Sequence, residues 1–362
     1  MKKYILPLIV CGVMGVLNCI ARLSTSFADF YAENIFRFIS VPFAFFSGIF
    51  PFSLGEFLIV AGLVLVAVGV PLTVILLIFG KNYRKKTISV FAVSVLWIFT
   101  FVLSAETLNC FIMYQCTPFS EKYLNSTEHK RSELISLYSA LIEKTNLLSE
   151  SVSRDGDGRF VFMGDIQTEA RSAMKSIGED YPQLSGYYPR AKPIQFSYFM
   201  SQSHLLGIYF PFSMEANYNN DMVNTNLPDT VCHEYSHLKG FMQEDEANFI
   251  AFLATTHYSE STEMQYSGYL SALEYVHNQI YEKNIIEAYY LTDKVSDNVK
   301  RDWFRFLPDT YWEDNKEKEV IPTEKVSSAS TTAMDTNIKM NGRQDGVESY
   351  SQMVNLLLDY YF

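Results

Sequence analysis

Two histidines four residues apart, with a glutamate directly after the first, are the residues in this chain best suited to chemistry. They form a His-Glu-x-x-His motif from His233 to His237. Residues four apart share one face of a helix, so both imidazoles can bind one metal ion. Glu234 can then reach a water molecule of lowered pKa, which is the arrangement of zinc hydrolases. The alternative interpretation is a polar helix that carries two histidines by chance.

A catalytic zinc ion usually has a third protein ligand, and three acids follow the motif closely. On an unbroken helix Glu244 would lie ~10 Å beyond His237 along the axis, too far to share the ion. Gly240 is placed to end the helix with a left-handed cap, so that a second helix can return toward the first. Helical phase on that second helix favours Glu244 over Asp245 and Glu246.

The second predicted helix carries a stripe of Glu244, Ala247, Asn248 and Ala251 at offsets of three, four and seven. The two alanines would permit close packing on the motif helix. Asn248, one turn beyond Glu244, could hydrogen-bond a metal ligand. Glu246 lies nearly opposite the stripe and is interpreted as a solvated or capping acid.

His-Glu-x-x-His followed by Glu-x-x-Ala-Asn resembles the gluzincin metallopeptidases, in which a glutamate of the second helix is the third zinc ligand. The resemblance implies that His233, His237 and Glu244 bind one Zn²⁺ ion and that Glu234 is the catalytic general base. Asn248 occupies the position where many of these enzymes carry an aspartate. The interval between His237 and Glu244 is shorter than in most of them.

The whole chain resembles a bacterial membrane family catalogued as domain of unknown function 3810. Three N-terminal apolar spans carry the resemblance, together with residues 211–216, 232–251, 266–270 and 345–350. The two resemblances imply an α+β architecture. Three N-terminal transmembrane helices would be followed by a mostly helical zincin-like metallopeptidase domain with a small sheet.

Three apolar runs, each long enough to cross a bilayer as a helix, predict a membrane anchor over residues 1–115. They cover about 4–20, 57–79 and 88–108; a cleaved signal peptide is the alternative for the first. The aromatic segment 27–52, interrupted by two prolines, is expected to lie along the membrane interface.

Lysine and arginine predict the orientation of this anchor. Lys2 and Lys3 precede the first span, and a basic loop at residues 81–86 joins the second and third. Only Arg22 and Arg37 lie in the much longer segment between the first two spans. We therefore expect a multi-pass protein of the plasma membrane with a cytoplasmic N-terminus and residues 116–362 outside the cytoplasm.

The outer domain shows alternating helical and strand patterns. The motif helix is predicted to begin at a cap on Asp229 or Thr230. Residues 207–219 are the candidate edge strand on which an extended peptide could add, with a buried core strand as the alternative. The other predicted elements are helices at 131–152, 168–177, 244–257, 261–287 and 349–361, one or two strands in 194–219, and a mobile loop at about 313–335.

Amide hydrolysis also needs a group that stabilises the developing oxyanion. Tyrosine, histidine and arginine are the usual donors, and the candidates are Tyr266, His257, Arg343 and Tyr350. The sequence does not rank them.

The predicted function is a membrane-anchored zinc metallopeptidase, whose partners are the lipid bilayer and a peptide or protein substrate. The net charge of −11 excludes nucleic acid. One alternative is a non-catalytic zinc domain, a membrane-tethered sensor or structural module, in which Cys232 or Asp245 completes a closed site. The spans lack charge pairs, which argues against a transporter. Whether Cys110 and Cys116 form a disulfide is left open, as are the substrate and the oligomeric state.

Overall fold

The computed structural model describes residues 2–341 and 352–362 and divides the chain into two compact units. The first comprises Met1–Cys116 with Phe210–Glu215, and the second comprises Thr117–Tyr209 with Ala216–Phe362. The predicted domain boundary at residues 115 and 116 stays a prediction; the first unit also includes the short segment Phe210–Glu215. That segment groups with the N-terminal helices because its side chains and backbone are bonded to them.

The first unit is helical up to Cys116. Three of them are long and apolar enough to span a membrane, at Lys2–Leu23, Leu54–Phe79 and Arg84–Gln115, as the sequence predicts. The predicted interfacial segment is helical, and Pro42 lies inside a helix instead of interrupting it. Its place at a membrane interface stays a prediction. The α-helices of this unit are α1 (Lys2–Leu23), α2 (Thr25–Tyr31), α3 (Arg37–Gly48), α4 (Leu54–Phe79) and α5 (Arg84–Glu106).

The second unit is mostly helical and holds the hydrophobic core of the chain. The helix carrying the motif packs against the next helix. That helix is buried from Asp245 onward, and beyond the acids of its first turn and Asn248 its residues are apolar or small. The helices are α6 (Phe119–Tyr123), α7 (Arg131–Ser149), α8 (Ile166–Asp180), α9 (Ser197–Gln202), α10 (Leu227–Leu238), α11 (Glu244–Thr256), α12 (Thr262–Glu282), α13 (Asp297–Asp302), α14 (Tyr311–Asp314), α15 (Thr323–Met340) and α16 (Met353–Tyr361).

A small sheet of three strands follows α8 in the sequence. The strands are β1 (Lys192–Ile194), β2 (Gly207–Phe210) and β3 (Glu215–Asn219), in the order β1-β3-β2, with β1 parallel to β3. The candidate edge strand at 207–219 consists of two strands: β2 lies at an edge of the sheet, whereas β3 is the central strand, as the alternative interpretation has it. Pro211 has no N–H to donate to a neighbouring strand, and Met214 adopts a φ of 54°. The chain therefore turns between β2 and β3.

The predicted loop at 313–335 is mostly helical. Its Ser/Thr-rich composition is typical of a loop, yet α15 covers most of it. Both the N–H and the hydroxyl of Thr323 donate to the Glu319 carboxylate, which satisfies donors of the first helical turn. Val326 is buried and helps to hold the helix in place.

The other helix predictions for the second unit are confirmed within a few residues, with one difference at the motif helix. The helix begins at Leu227 with Pro228 in its first turn, where proline is well tolerated. Asp229 does not cap it, since its Oδ2 accepts a hydrogen bond from Ser271 of α12 instead. Residues 349–351 of the predicted C-terminal helix lie outside the described residues.

Candidate metal centre

The side chains of His233, His237 and Glu244 meet at one point. Each offers one ligand atom, and the three atoms lie within 4.8 Å of one another. The two Nε2 atoms are 2.9 Å apart, and Glu244 Oε2 lies 3.2 Å from the first and 3.7 Å from the second. The predicted trio is therefore brought together, on two successive helices.

The chain reversal after α10 makes this meeting possible. Gly240 has a φ of 93°, in the left-handed region that glycine favours. Its N–H donates to His237 O, and the N–H of Phe241 donates to Ser236 O, a pair of bonds known as the Schellman motif. The predicted role of Gly240 is confirmed. α11 begins four residues later, at Glu244.

The Nδ1 atom of each histidine has a hydrogen-bond acceptor. His233 Nδ1 lies 2.7 Å from Asn248 Oδ1, and His237 Nδ1 lies 2.7 Å from Phe241 O. An N–H on each Nδ1 leaves the lone pair of each Nε2 directed at Glu244. Such outer partners fix the tautomer and orientation of metal-binding histidines. The predicted role of Asn248 agrees with this geometry, while the Phe241 carbonyl was not foreseen.

The donor set fits a divalent cation. The Nε2 lone pairs of the two histidines converge with a carboxylate oxygen of Glu244. Two lone pairs this close repel each other, so a proton must lie between the two Nε2 atoms when no cation is bound. Burial alone would lower the pKa of His233, but its hydrogen bond to Glu244 and the nearby acids raise it to about 9. Burial likewise would raise the pKa of Glu244, but His237 and His233 hold it well below its usual range. A metal ion would displace the proton, since ligands bind metals deprotonated.

Replacing Asn248 with alanine is expected to weaken zinc binding by about 10- to 100-fold, the usual effect of losing an outer partner. The His233 Nδ1–H would lose its acceptor, and the imidazole would rotate more freely. Competition with a calibrated chelator measures the affinity. Asn248→Asp keeps an acceptor at the same position and should retain tight binding; equal weakening in both variants would contradict this role.

Glu234 lies on the same helix, beside the histidines, and is almost fully buried. Its Oε2 has no hydrogen-bond partner among the described residues. Burial raises the pKa of this carboxyl to about 7, against the opposing influence of His233 and His237. A buried carboxyl with an unpartnered oxygen next to the ligands suits the predicted role of general base.

Strand β2 runs beside this carboxyl. A β-carbon added at Gly207 would overlap the side chain of Glu234. Two residues further on, on the same face of the strand, the ring centroid of Tyr209 lies 6.3 Å from that of His237. The edge strand is therefore adjacent to the motif helix, as predicted, and glycine is the residue that permits the approach.

Replacing Gly207 with alanine is expected to displace Glu234 and to lower the hydrolysis rate by about 10²-fold, the effect of a misplacement of ~1 Å. Bound zinc should not change, because the ligands are not displaced. Gly156→Ala is the matched control, since nothing lies within 4 Å of a β-carbon there. If the Gly207→Ala and Gly156→Ala variants hydrolyse at the same rate, Gly207 does not control the position of Glu234.

The neighbouring acids and Cys232 do not join the cluster of three. Glu246 is buried, and its Oε1 accepts the N–H of Phe119. The interpretation as a solvated acid is therefore wrong, and the helix whose start it caps is α6, not its own helix. Asp245 is buried as well. Cys232 is fully buried, and burial raises the pKa of its thiol well above the usual value.

Two of the four candidate oxyanion donors, Tyr266 and His257, lie among the described residues, and the contacts recorded for them are with residues outside the cluster of three. The Tyr266 hydroxyl donates to Asp302 Oδ2 at 2.7 Å, within a buried ion pair of that aspartate with Arg154. His257 follows the last residue of α11 and packs against Phe252 and two C-terminal tyrosines. A helix of this length separates it from Glu244 by ~20 Å. Arg343 and Tyr350 lie outside the described residues.

Two tyrosines near the cluster were missed by sequence reasoning. Tyr209 contacts His237 as described above. Tyr275 of α12 lies near Asn248; burial and the charges of Asp229 and Glu244 raise the pKa of its hydroxyl, which keeps it a neutral donor. The strand period could have indicated Tyr209, because it shares a face with Gly207. No local signal marks Tyr275, since helix packing alone brings it here.

The comparison with family models decides where this chain belongs. The model described as "Protein of unknown function (DUF3810)" matches residues 31–358. The chain belongs to the DUF3810 family. This confirms the resemblance of the whole chain to that family, whereas the likeness to gluzincins stays a prediction. Nothing matched this DUF3810 chain among curated proteins or among solved structures.

Proposed function

We propose that the chain is a membrane-anchored, zinc-dependent metallopeptidase. The observation that carries the proposal is the convergence of His233, His237 and Glu244 beside a buried carboxyl, Glu234. Two histidines and an acid that hold a metal, with a separate general base, are typical of catalytic rather than structural zinc sites.

Each residue would have a separate task. His233, His237 and Glu244 would hold the zinc ion, with Asn248 and the Phe241 carbonyl orienting the imidazoles. Bound zinc supplies a Lewis acid that polarises the peptide carbonyl and makes water a stronger nucleophile near neutral pH. Glu234 would take the proton from the attacking water and pass it to the leaving amine.

The side of β2 that does not pair with β3 would hold the substrate. It is an edge strand of the sheet, and an extended peptide can add to such an edge through backbone hydrogen bonds. Gly207 and Tyr209 face the motif helix from this strand, so a peptide added there would pass close to Glu234. A peptide or protein in an extended conformation is the substrate class that this arrangement favours.

The distribution of basic residues supports a catalytic domain outside the cytoplasm. Lys2, Lys3 and the loop at residues 81–86 flank the spans on one side, and such residues are enriched on the cytoplasmic side. The N-terminus would therefore be cytoplasmic, and the domain after the third span would face the opposite side of the plasma membrane.

The proposal is tested with the full chain in detergent or liposomes. Zinc-loaded protein is incubated with a mixture of unstructured polypeptides, and the fragments are identified by mass spectrometry. We expect new termini that vanish after chelation and return when zinc is restored. Absence of cleavage by protein shown to hold one zinc per chain would refute the peptidase activity.

A further inference from the structure

The motif helix α10 is bonded through its rear face to another segment of the second unit. Tyr235, midway between the two histidines of the motif, is fully buried. Two positions along a helix correspond to a rotation of ~200°, so Tyr235 points away from the metal cluster. Its hydroxyl donates to Pro189 O at 2.7 Å and accepts the N–H of Ala191 at 3.0 Å. One side chain therefore holds a short stretch of backbone through both a donor and an acceptor.

A lysine at the end of the motif helix holds the same stretch. Lys239 follows the last residue of α10 and is buried. Its Nζ donates to Ser185 O and to Tyr187 O, each at 2.9 Å, and lies 4.0 Å from the ring centroid of Tyr188. The motif helix thus binds residues 185–191, the clasp segment, at two points about one helical turn apart.

The clasp segment continues directly into the small sheet. Ala191 is followed by β1, which pairs in parallel with β3 so that Lys192 lies opposite Asn217 and Ile194 lies opposite Asn219. A shift of this register by one residue would turn every side chain of β1 to the other face of the sheet. The bonds of the motif helix to the clasp segment therefore fix the position of β1, and through the register that of β3.

Strand β3 in turn is bonded to the chain on both sides of Gly207. The N–H of Asn219 donates to Leu206 O at 2.7 Å, and Asn217 Nδ2 donates to Ile208 O at 3.3 Å. Gly207 lies between these two carbonyl groups and is the residue that lets β2 approach the proposed general base. A closed path of contacts thus leads from the rear face of α10 through the sheet and back to its front face.

We propose that Tyr235 is a positioning residue of the peptidase site, which fixes the edge strand β2 against the metal-binding face of its own helix. The inference rests on the proposed function. The motif helix would carry the metal ligands on one face and, with the other, hold the sheet to which a peptide is added. Tyr235 would act through the clasp segment and the sheet, and it would touch neither the substrate nor the reacting atoms.

Tyr235→Phe in the full chain tests this role. Phenylalanine keeps the ring, but it leaves the N–H of Ala191 and the carbonyl of Pro189 without their shared partner. We expect faster amide hydrogen exchange in residues 191–194 and 206–209, with unchanged exchange in α10 and unchanged zinc content. For an unstructured reporter peptide, KM should rise about 10-fold, equivalent to ~1.4 kcal/mol of lost binding, and kcat should change less.

Tyr188→Phe is the matched control. The Tyr188 hydroxyl is also buried, but it donates to Leu184 O at 2.5 Å, so its loss removes no bond between the clasp segment and the motif helix. This variant should leave KM and the exchange of residues 206–209 unchanged. Lys239→Met removes the two other bonds to the clasp segment, and it should shift exchange in residues 206–209 in the same direction as Tyr235→Phe.

Equal KM values in Tyr235→Phe and Tyr188→Phe would overturn the inference and leave the peptidase proposal standing. Loss of zinc or of protection in α10 in Tyr235→Phe would also overturn it, because the hydroxyl would then only stabilise the fold. If zinc-loaded wild type cleaves no peptide, the peptidase proposal fails, and the positioning role fails with it even if exchange in residues 206–209 rises.

Discussion

Replacing Glu234 with glutamine is expected to lower the rate of peptide hydrolysis by about 10²- to 10⁴-fold, the usual contribution of a general base. Glutamine has the same shape, so the buried pocket beside the histidines should remain filled. It cannot accept a proton from water at neutral pH, however. The rate is measured on an unstructured reporter peptide with the zinc-loaded full chain.

Zinc content must be measured on the same Glu234→Gln sample. The metal should be retained at the wild-type level, because Glu234 is not among the three converging ligands. This separates loss of the base from loss of the metal. If the variant cleaved as fast as wild type while a chelator still abolished cleavage, the mechanism assigned to Glu234 would be wrong.

Replacing Glu244 with alanine is expected to remove zinc almost completely after dialysis, and hydrolysis with it. The variant leaves only two imidazoles, and a buried site with two neutral ligands cannot balance the charge of a divalent ion. Elemental analysis of the purified protein gives the zinc content per chain. Circular dichroism checks that the helices persist.

Glu246→Ala is the matched control, two residues away on the same helix. Its carboxylate accepts a hydrogen bond from the N–H of Phe119 and is not part of the cluster of three. The variant should therefore keep zinc, and it should lose about 1–3 kcal/mol of stability because that N–H is left without an acceptor. Zinc retained in Glu244→Ala but lost in Glu246→Ala would contradict the choice of the third ligand.

The sequence predicted the local geometry of the cluster of His233, His237 and Glu244 well, because that geometry depends on short-range rules. The four-residue interval places His233 and His237 on one helical face. A glycine after the helix permits a left-handed residue, which the φ of Gly240 confirms. Helical phase then selects Glu244. Each step involves residues close together in the chain, where period and capping preferences are strong.

The fold was predictable where hydropathy or helical period was strong. The three apolar spans and helices α7, α8 and α11 agree with their predicted positions within a few residues. Composition was misleading for α15, whose polar and small residues are typical of loops. Contacts of Thr323 with Glu319 and the burial of Val326 stabilise it, and neither is readable from composition.

Long-range partners could not be predicted. Glu215 lies 161 positions from Leu54, whose N–H it accepts, and no periodic pattern connects them. Tyr275 reaches the neighbourhood of Asn248 only because α12 packs on α11. The grouping of Phe210–Glu215 with the N-terminal helices likewise depends on tertiary contacts.

X-ray absorption at the zinc edge, on the zinc-loaded full chain, tests the central claim most directly. It reports both the presence of the metal and the elements bound to it. We predict one zinc ion with two imidazole nitrogens and oxygen donors, and no sulfur. A closed site that includes sulfur from Cys232, or a chain that binds no zinc at all, would contradict the account.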